Sequence, residues 1–176
     1  MLSDESFKII QPSNIKINLM EHQKTAIYQM LQVEKDGYIE INNFLFYYNK
    51  PKNYKLNSTL FILGDIVGSG KTYMIISLIS LSIKPPNRPI IVDNSLNISV
   101  ELKDDNEHNN INTNLIIVPD NLLDQWVESF KISNLRIYIK KDKKQEIIDY
   151  NNYDVLLVGS KNADSIYDET VKYGRI

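Results

Sequence analysis

The residues best suited to chemistry lie together at Gly64-Asp65-Ile66-Val67-Gly68-Ser69-Gly70-Lys71-Thr72. An apolar run, Leu60-Phe61-Ile62-Leu63, precedes them, and another, Tyr73-Met74-Ile75-Ile76-Ser77-Leu78-Ile79, follows. The pattern predicts a strand, a glycine-rich turn and a helix, the arrangement a phosphate-binding loop requires. A helix start offers backbone N–H groups without intrahelical partners and the positive end of the helix dipole. Gly68 and Gly70 carry no Cβ, so backbone amides can close around a phosphate. Lys71 would put its ammonium on the terminal phosphates of a nucleoside triphosphate, and Thr72 would hold Mg2+ through its hydroxyl. Asp65, Gly68, Ser69, Gly70, Lys71 and Thr72 are therefore the candidate triphosphate-binding residues. Lys71 and Thr72 are the catalytic candidates among them. The general motif places glycine where Asp65 stands, and here Gly64 comes one residue earlier.

The elements that must position this loop can be read on either side of it. Residues 1–16 are expected as a tail or an edge strand, polar apart from Ile9-Ile10. Asn18 then reads as a helix cap with Glu21 as its reciprocal partner. Leu19, Ala26, Ile27, Met30 and Leu31 continue at helical spacing, with Gln23 among them, and Asp36-Gly37 ends the helix. Residues 38–57 read as a hairpin, with its turn at Asn49–Asn53. The aromatic patch Phe44-Phe46-Tyr47-Tyr48 could stack on bases, but packing is the better reading.

Beyond the loop, Lys84–Pro89 stops the second helix. Ile90–Asp93 imitates a strand ending in a metal-binding acid. Asn94 follows it, however, and residues 84–113 read as an exposed, Asn/Asp-rich insertion. Asn114–Pro119 reads as a buried-type strand, and Asp120 or Asn121 caps a helix through Leu122, Leu123, Trp126, Val127 and Phe130. Leu135–Ile139 is a strand, Lys140–Lys144 starts a short helix, and Tyr153–Ser160 is a further strand. Strands that are nearly continuously apolar and alternate with helices indicate an α/β fold with a mainly parallel sheet covered on both faces.

Bulk properties set the limits. A chain of 176 residues can bury one good core. A net charge of −2 gives no global footprint for nucleic acid, so any basic surface must be local. There is no cysteine, which excludes disulfides and thiolate metal sites. His22 and His108 are too isolated to mark a metal centre. No signal pattern opens the chain and no apolar run is long enough to span a membrane, so an intracellular protein without membrane contact is expected.

Four blocks in this order resemble the superfamily-two helicases: Gln23, the phosphate loop, Leu115–Pro119 with Leu122-Leu123-Asp124-Gln125-Trp126 and Phe130, and Tyr153–Ser160. The wording is most similar to the Swi/Snf-like branch and to related ATPases of large DNA viruses. The resemblance covers about residues 17 to 159. It implies a three-layer RecA-like lobe over residues 17–176 that binds ATP with Mg2+. It also implies that Gln23 reads the adenine edge, since an amide donates and accepts at once; an exposed glutamine on an amphipathic helix is the alternative.

In that family the loops after Pro119 and at Ser160 touch the nucleic-acid backbone, which makes Asn121, Ser160 and Lys161 the candidates here. Each could equally be a plain cap or turn residue, and the Lys140–Lys144 cluster could add phosphate contacts or be a solvated helix start. The resemblance further implies a partner nucleic acid, with DNA favoured over RNA, and a second RecA-like lobe outside this chain. The family's Asp-Glu motif is not found: Asp168-Glu169-Thr170 has the letters without a buried strand before it. A lobe cut before that motif is the expectation. The function expected of the full-length protein is an ATP-dependent helicase or translocase. The alternatives are a small-molecule kinase, or a non-catalytic interaction module of a viral transcription or packaging assembly.

Overall fold

Two apolar helix faces that bury each other open the described part of the chain. The computed structural model describes residues 7–36, 38–41, 54–57, 62–81, 113–142 and 149–166. The chain divides into two compact units, Met1–Ile83 and Lys84–Ile176. In the first unit, helix α1 spans Glu21–Asp36 and helix α2 spans Lys71–Leu81. Leu19, Ile27, Met74 and Leu78 form one buried cluster, with Met30 and Leu63 packed at its margin. Each such side chain contributes about 1.5–3 kcal/mol when fully buried, so this cluster fixes α1 against α2.

The start of α1 differs from expectation. Asn18 does not cap the helix. Gln11 holds the approaching chain instead, accepting from the Leu19 N–H at 3.0 Å and donating to the Ile17 carbonyl at 3.0 Å. Met20 occupies the cap position, and its N–H is taken by Gln23 Oε1 at 2.9 Å. That is the half of a capping box in which the third helical residue reaches back. Glu21 is engaged elsewhere, by Lys24 at 2.9 Å and Lys8 at 3.1 Å. Hydrogen bonds from Lys24 and then Lys8 hold its carboxyl below the usual range. The segment ahead of α1 is tied down as well: the Ile9 N–H donates to Lys24 O at 3.3 Å, and Asn14 Nδ2 donates to Ser80 O at 3.2 Å.

Strands β1 (Tyr38–Ile41) and β2 (Tyr54–Asn57) pair antiparallel, Tyr38 opposite Asn57 and Ile41 opposite Tyr54. The turn and the aromatic patch expected between them lie outside the described residues. The strand expected before the phosphate loop is not seen at Ile62 and Leu63, which have no regular structure. A strand exists only through a partner ladder, and β1 and β2 pair with each other.

The second unit carries a parallel sheet of β3 (Asn114–Val118), β4 (Ile137–Lys140) and β5 (Val155–Gly159), in the order β3-β5-β4. β5 is buried along its whole length, as its unbroken apolar sequence requires of a central strand. β3 was expected to be buried too, yet Leu115 and Ile117 are 49% and 51% exposed. It is an edge strand of this sheet, and one of its faces is only partly covered. Helix α3 (Leu123–Ser129) follows a 3-10 turn at Asp120–Leu122, and neither Asp120 nor Asn121 caps it with a side chain. The Trp126 ring is half-buried, 6.2 Å from that of buried Phe130. Tyr150, Leu156, Val158 and Ile166 form the unit's buried cluster.

Lys140 ends β4 with its side chain fully buried, so it belongs to the interior and not to a basic helix start. Residues 84–112, Lys143 and Lys144, and Asp168-Glu169-Thr170 lie outside the described residues. No described helix is long and apolar enough to cross a membrane.

The amino-terminal ends of β4 and β5 are clamped by one ion pair. Arg136 Nη2 lies 2.8 Å from Asp154 Oδ1, while Arg136 Nε and the Arg136 N–H donate to Oδ2 at 3.2 and 2.8 Å. The Asp154 carbonyl accepts from the Asn114 N–H at 3.0 Å, which brings β3 into the same clamp. The Arg136 guanidinium pulls the Asp154 carboxyl below its usual range, partly offset by burial. A depressed carboxyl stabilises the fold above its unfolded pKa and loses that contribution as pH falls through its folded value. Asp154→Asn is therefore expected to lower the urea midpoint at pH 7 and to narrow its deficit progressively in the acid range below pH ~4. A deficit independent of pH would mean that the clamp acts through its shape alone.

Candidate nucleotide and nucleic-acid sites

The phosphate loop takes its form from two glycines. Gly68 and Gly70 have φ of +85° and +82°, a region that L side chains rarely enter. Flanking Ser69, they turn the backbone twice and deliver it to α2. The Gly70 carbonyl accepts the first helical bond, from the Met74 N–H at 3.1 Å. Lys71 and Thr72 thus sit in the first helical turn, both half-buried, where the backbone N–H groups have no partner within the helix. The Lys71 ammonium folds back onto the loop and donates to the carbonyls of Asp65 at 2.8 Å and Ile66 at 2.7 Å. Asp65 bonds through its carboxylate to the next N–H, that of Ile66, at 2.9 Å. Its contribution in this structure is to the loop's shape. The Ser69 hydroxyl is buried without a hydrogen-bond partner. An orphaned donor beside two turned glycines and an ammonium fits a ligand that brings acceptor oxygens, once the loop opens to admit it.

Gln23 joins this loop. Its Nε2 donates to the Ser69 carbonyl at 2.9 Å, while its Oε1 holds the Met20 N–H. The side chain is 5% exposed, so it is not a solvated glutamine on a helix surface. A primary amide has two N–H groups and two lone pairs. One of each is used here, by the Met20 N–H and the Ser69 carbonyl. A Cβ on Gly70 would stand 2.3 Å from Gln23 Nε2, so this glycine is needed for close approach as well as for its φ. His22 also reaches the Ser69 carbonyl, at 3.3 Å, a contact that its position in sequence did not foretell.

The nucleic-acid candidates lie in the second unit. β3 and β5 are parallel and in register, so Val118 and Gly159 end side by side. β3 leads through Pro119 into a 3-10 turn at Asp120–Leu122, and β5 runs directly into one at Ser160–Asn162. The structure brings Ser160 and Lys161 together around Asp120: Ser160 Oγ is 3.4 Å and Lys161 Nζ 4.0 Å from Asp120 Oδ2. Asn121 is exposed on the neighbouring turn. Asn162 Nδ2 donates to the Lys141 carbonyl at 3.1 Å and ties the second turn to the end of β4. The carboxyl ends of parallel strands are where open α/β sheets place their ligands. By sequence Asp120 is a candidate cap; the signal for its place beside β5 is Gly159, a glycine ending a strand in an ordinary conformation. Among the described residues no group of three or more His, Asp or Glu could hold a metal ion.

Gln23→Ala removes two hydrogen bonds of a buried side chain, each worth about 0.5–1.5 kcal/mol net. A loss of roughly 1–3 kcal/mol in urea unfolding is expected. Unchanged stability would show that the tie between α1 and the loop carries no load.

Residues 22–169 match the SNF2-related domain. A putative helicase of Acanthamoeba polyphaga mimivirus, R592, is 28% identical over 171 residues, which cover 88% of this chain and 20% of that protein. The chain thus spans about a fifth of that relative's length. The SWI2/SNF2 ATPase core of Sulfolobus solfataricus, solved in complex with dsDNA, superposes with a TM-score of 0.50 at 22% identity. That match covers 87% of this chain and 24% of the solved one, and it shows the fold: α/β and RecA-like, with a parallel sheet. With most of its length inside the domain match, the chain belongs to the SNF2-related family, as a lobe of the Swi/Snf-like superfamily-two helicases.

Proposed function

We propose that this chain is the ATP-binding lobe of an ATP-dependent translocase or helicase that moves on nucleic acid, DNA ahead of RNA. The observation that carries this reading is the loop itself, two left-handed glycines around Ser69 with Lys71 in the first turn of α2. The loop amides and Lys71 would hold the triphosphate, the Thr72 hydroxyl would hold Mg2+, and Gln23 would offer its remaining N–H and lone pair to adenine. Bound Mg2+ would neutralise charge on the phosphates. Lys71 would exchange two neutral carbonyls for anionic oxygens, which adds attraction between full charges to bonds that the ammonium already strengthens. Two findings favour nucleic acid as the track: the polar cluster at the ends of β3 and β5, and the dsDNA held by the solved SWI2/SNF2 core.

Hydrolysis draws on more than Lys71 and Thr72. An arginine finger alone is worth ~10³–10⁵ in rate. The 176-residue chain is therefore expected to bind ATP with little turnover. Calorimetric titration of ATP with Mg2+ into the wild type and Lys71→Ala checks this. Loss of a charged donor should weaken binding by roughly ten- to 150-fold, from ~1.5–3 kcal/mol. Equal affinity in the two proteins would remove Lys71 from its assigned role.

A further inference from the structure

Asp120 is the carboxylate that meets Ser160 and Lys161 at the ends of β3 and β5. Its position is closely defined. Oδ1 lies 2.3 Å from where a Cβ on Gly159 would stand, and Cγ lies 3.2 Å from it, so the carboxylate rests on the bare Cα of Gly159. Gly159 has φ of −70°, which any residue could adopt; the absence of a side chain there serves the close approach and not the backbone. From that seat Oδ2 reaches the Ser160 hydroxyl at 3.4 Å and the Lys161 ammonium at 4.0 Å. Lys161 is 83% exposed and Asp120 36%, so both remain open to an incoming ligand.

A backbone phosphate would seek the same two partners, a hydroxyl that donates and an ammonium that neutralises. The carboxylate already lies within reach of the hydroxyl and sets a negative charge near the ammonium. Its repulsion acts on any phosphate within a Debye length, about 10 Å at 0.1 M salt. We propose that Asp120 is an internal counter-charge standing in for phosphate at Ser160 and Lys161, so that it lowers the affinity of this strand-end surface for nucleic acid and makes engagement reversible. The proposal rests on the nucleic-acid reading of Ser160 and Lys161. Asp120 acts as a positioning and affinity-setting residue that itself contacts neither ATP nor base.

The test is binding of a short DNA duplex to this chain at about 50 mM salt, where phosphate contacts are strong. The proteins are wild type, Asp120→Asn, Lys161→Ala and the double variant, each checked for unchanged circular dichroism. Asparagine keeps the shape and can still accept from Ser160, so the fold is preserved while the charge goes. Asp120→Asn is expected to tighten binding about five-fold, the size expected of one unit charge near contact distance in water. The gain should fade as salt rises and should shrink in the Lys161→Ala background. If Lys161→Ala weakens binding while Asp120→Asn leaves it unchanged or weaker, the counter-charge is overturned and the nucleic-acid reading stands. If Lys161→Ala has no effect on wild-type binding, or none of the proteins binds, that reading fails and the counter-charge fails with it.

Discussion

The amide of Gln23 is the tie on which the first unit's site depends. It closes the start of α1 through the Met20 N–H and holds the phosphate loop through the Ser69 carbonyl. The two helices beneath it are locked by Ile27, Met74 and Leu78, so the distance between the amide and the loop is set by packing. Gly70 completes the arrangement because a Cβ there would stand 2.3 Å from the amide nitrogen and force it off the Ser69 carbonyl. A loop turned by two left-handed glycines is intrinsically permissive, since glycine has the most conformational freedom to lose. Anchoring its middle carbonyl from a neighbouring helix limits that freedom without placing a side chain in its mouth.

The second unit solves a different problem with a different device. A parallel sheet sends all its carboxyl ends to one edge, so polar residues far apart in sequence arrive together. Asp120 and Ser160 meet in this way because Val118 and Gly159 are paired in register. The opposite edge carries the Arg136–Asp154 clamp, which gathers β3, β4 and β5 through side-chain and backbone bonds. Burial along the whole of β5 supplies the stiffness between the two edges. The division of labour is familiar in α/β proteins: structural pairing at the amino-terminal ends, adaptable polar chemistry at the carboxyl ends.

Much of this could be read in the residues. The glycine-turned loop and the helix it opens were legible because the glycine spacing and the apolar run that follows constrain one another. β4, β5 and α3 followed from apolar periodicity, and the family order of blocks placed Gln23 ahead of the loop. By residue type Asn18 is the cap of α1, yet Gln11 and Gln23 capture the relevant backbone groups, and tertiary partners outrank local propensity. Lys140 looked like part of a basic run because charge patterns say nothing about which side of a strand end faces inward. β3 looked buried because apolar composition does not reveal whether a strand lies at the centre or the edge of its sheet. Asp120 looked like a cap because its true partners are about forty residues away, at Ser160 and Lys161.

The seat of Asp120 has a consequence for the pair of positions that form it. The carboxylate and any side chain at 159 compete for one volume, so neither residue can vary freely alone. Alanine at 159 would be tolerated most easily beside a residue at 120 that withdraws from the Gly159 Cα. A bulky residue at 120 would be confined to chains that keep glycine at 159. Across related chains the two positions should therefore change together, as a spatial exchange of bulk between adjacent strand ends. A chain that had made that exchange would present Ser160 and Lys161 without their acidic neighbour, and its surface at this edge would carry more positive charge with no lysine or arginine gained.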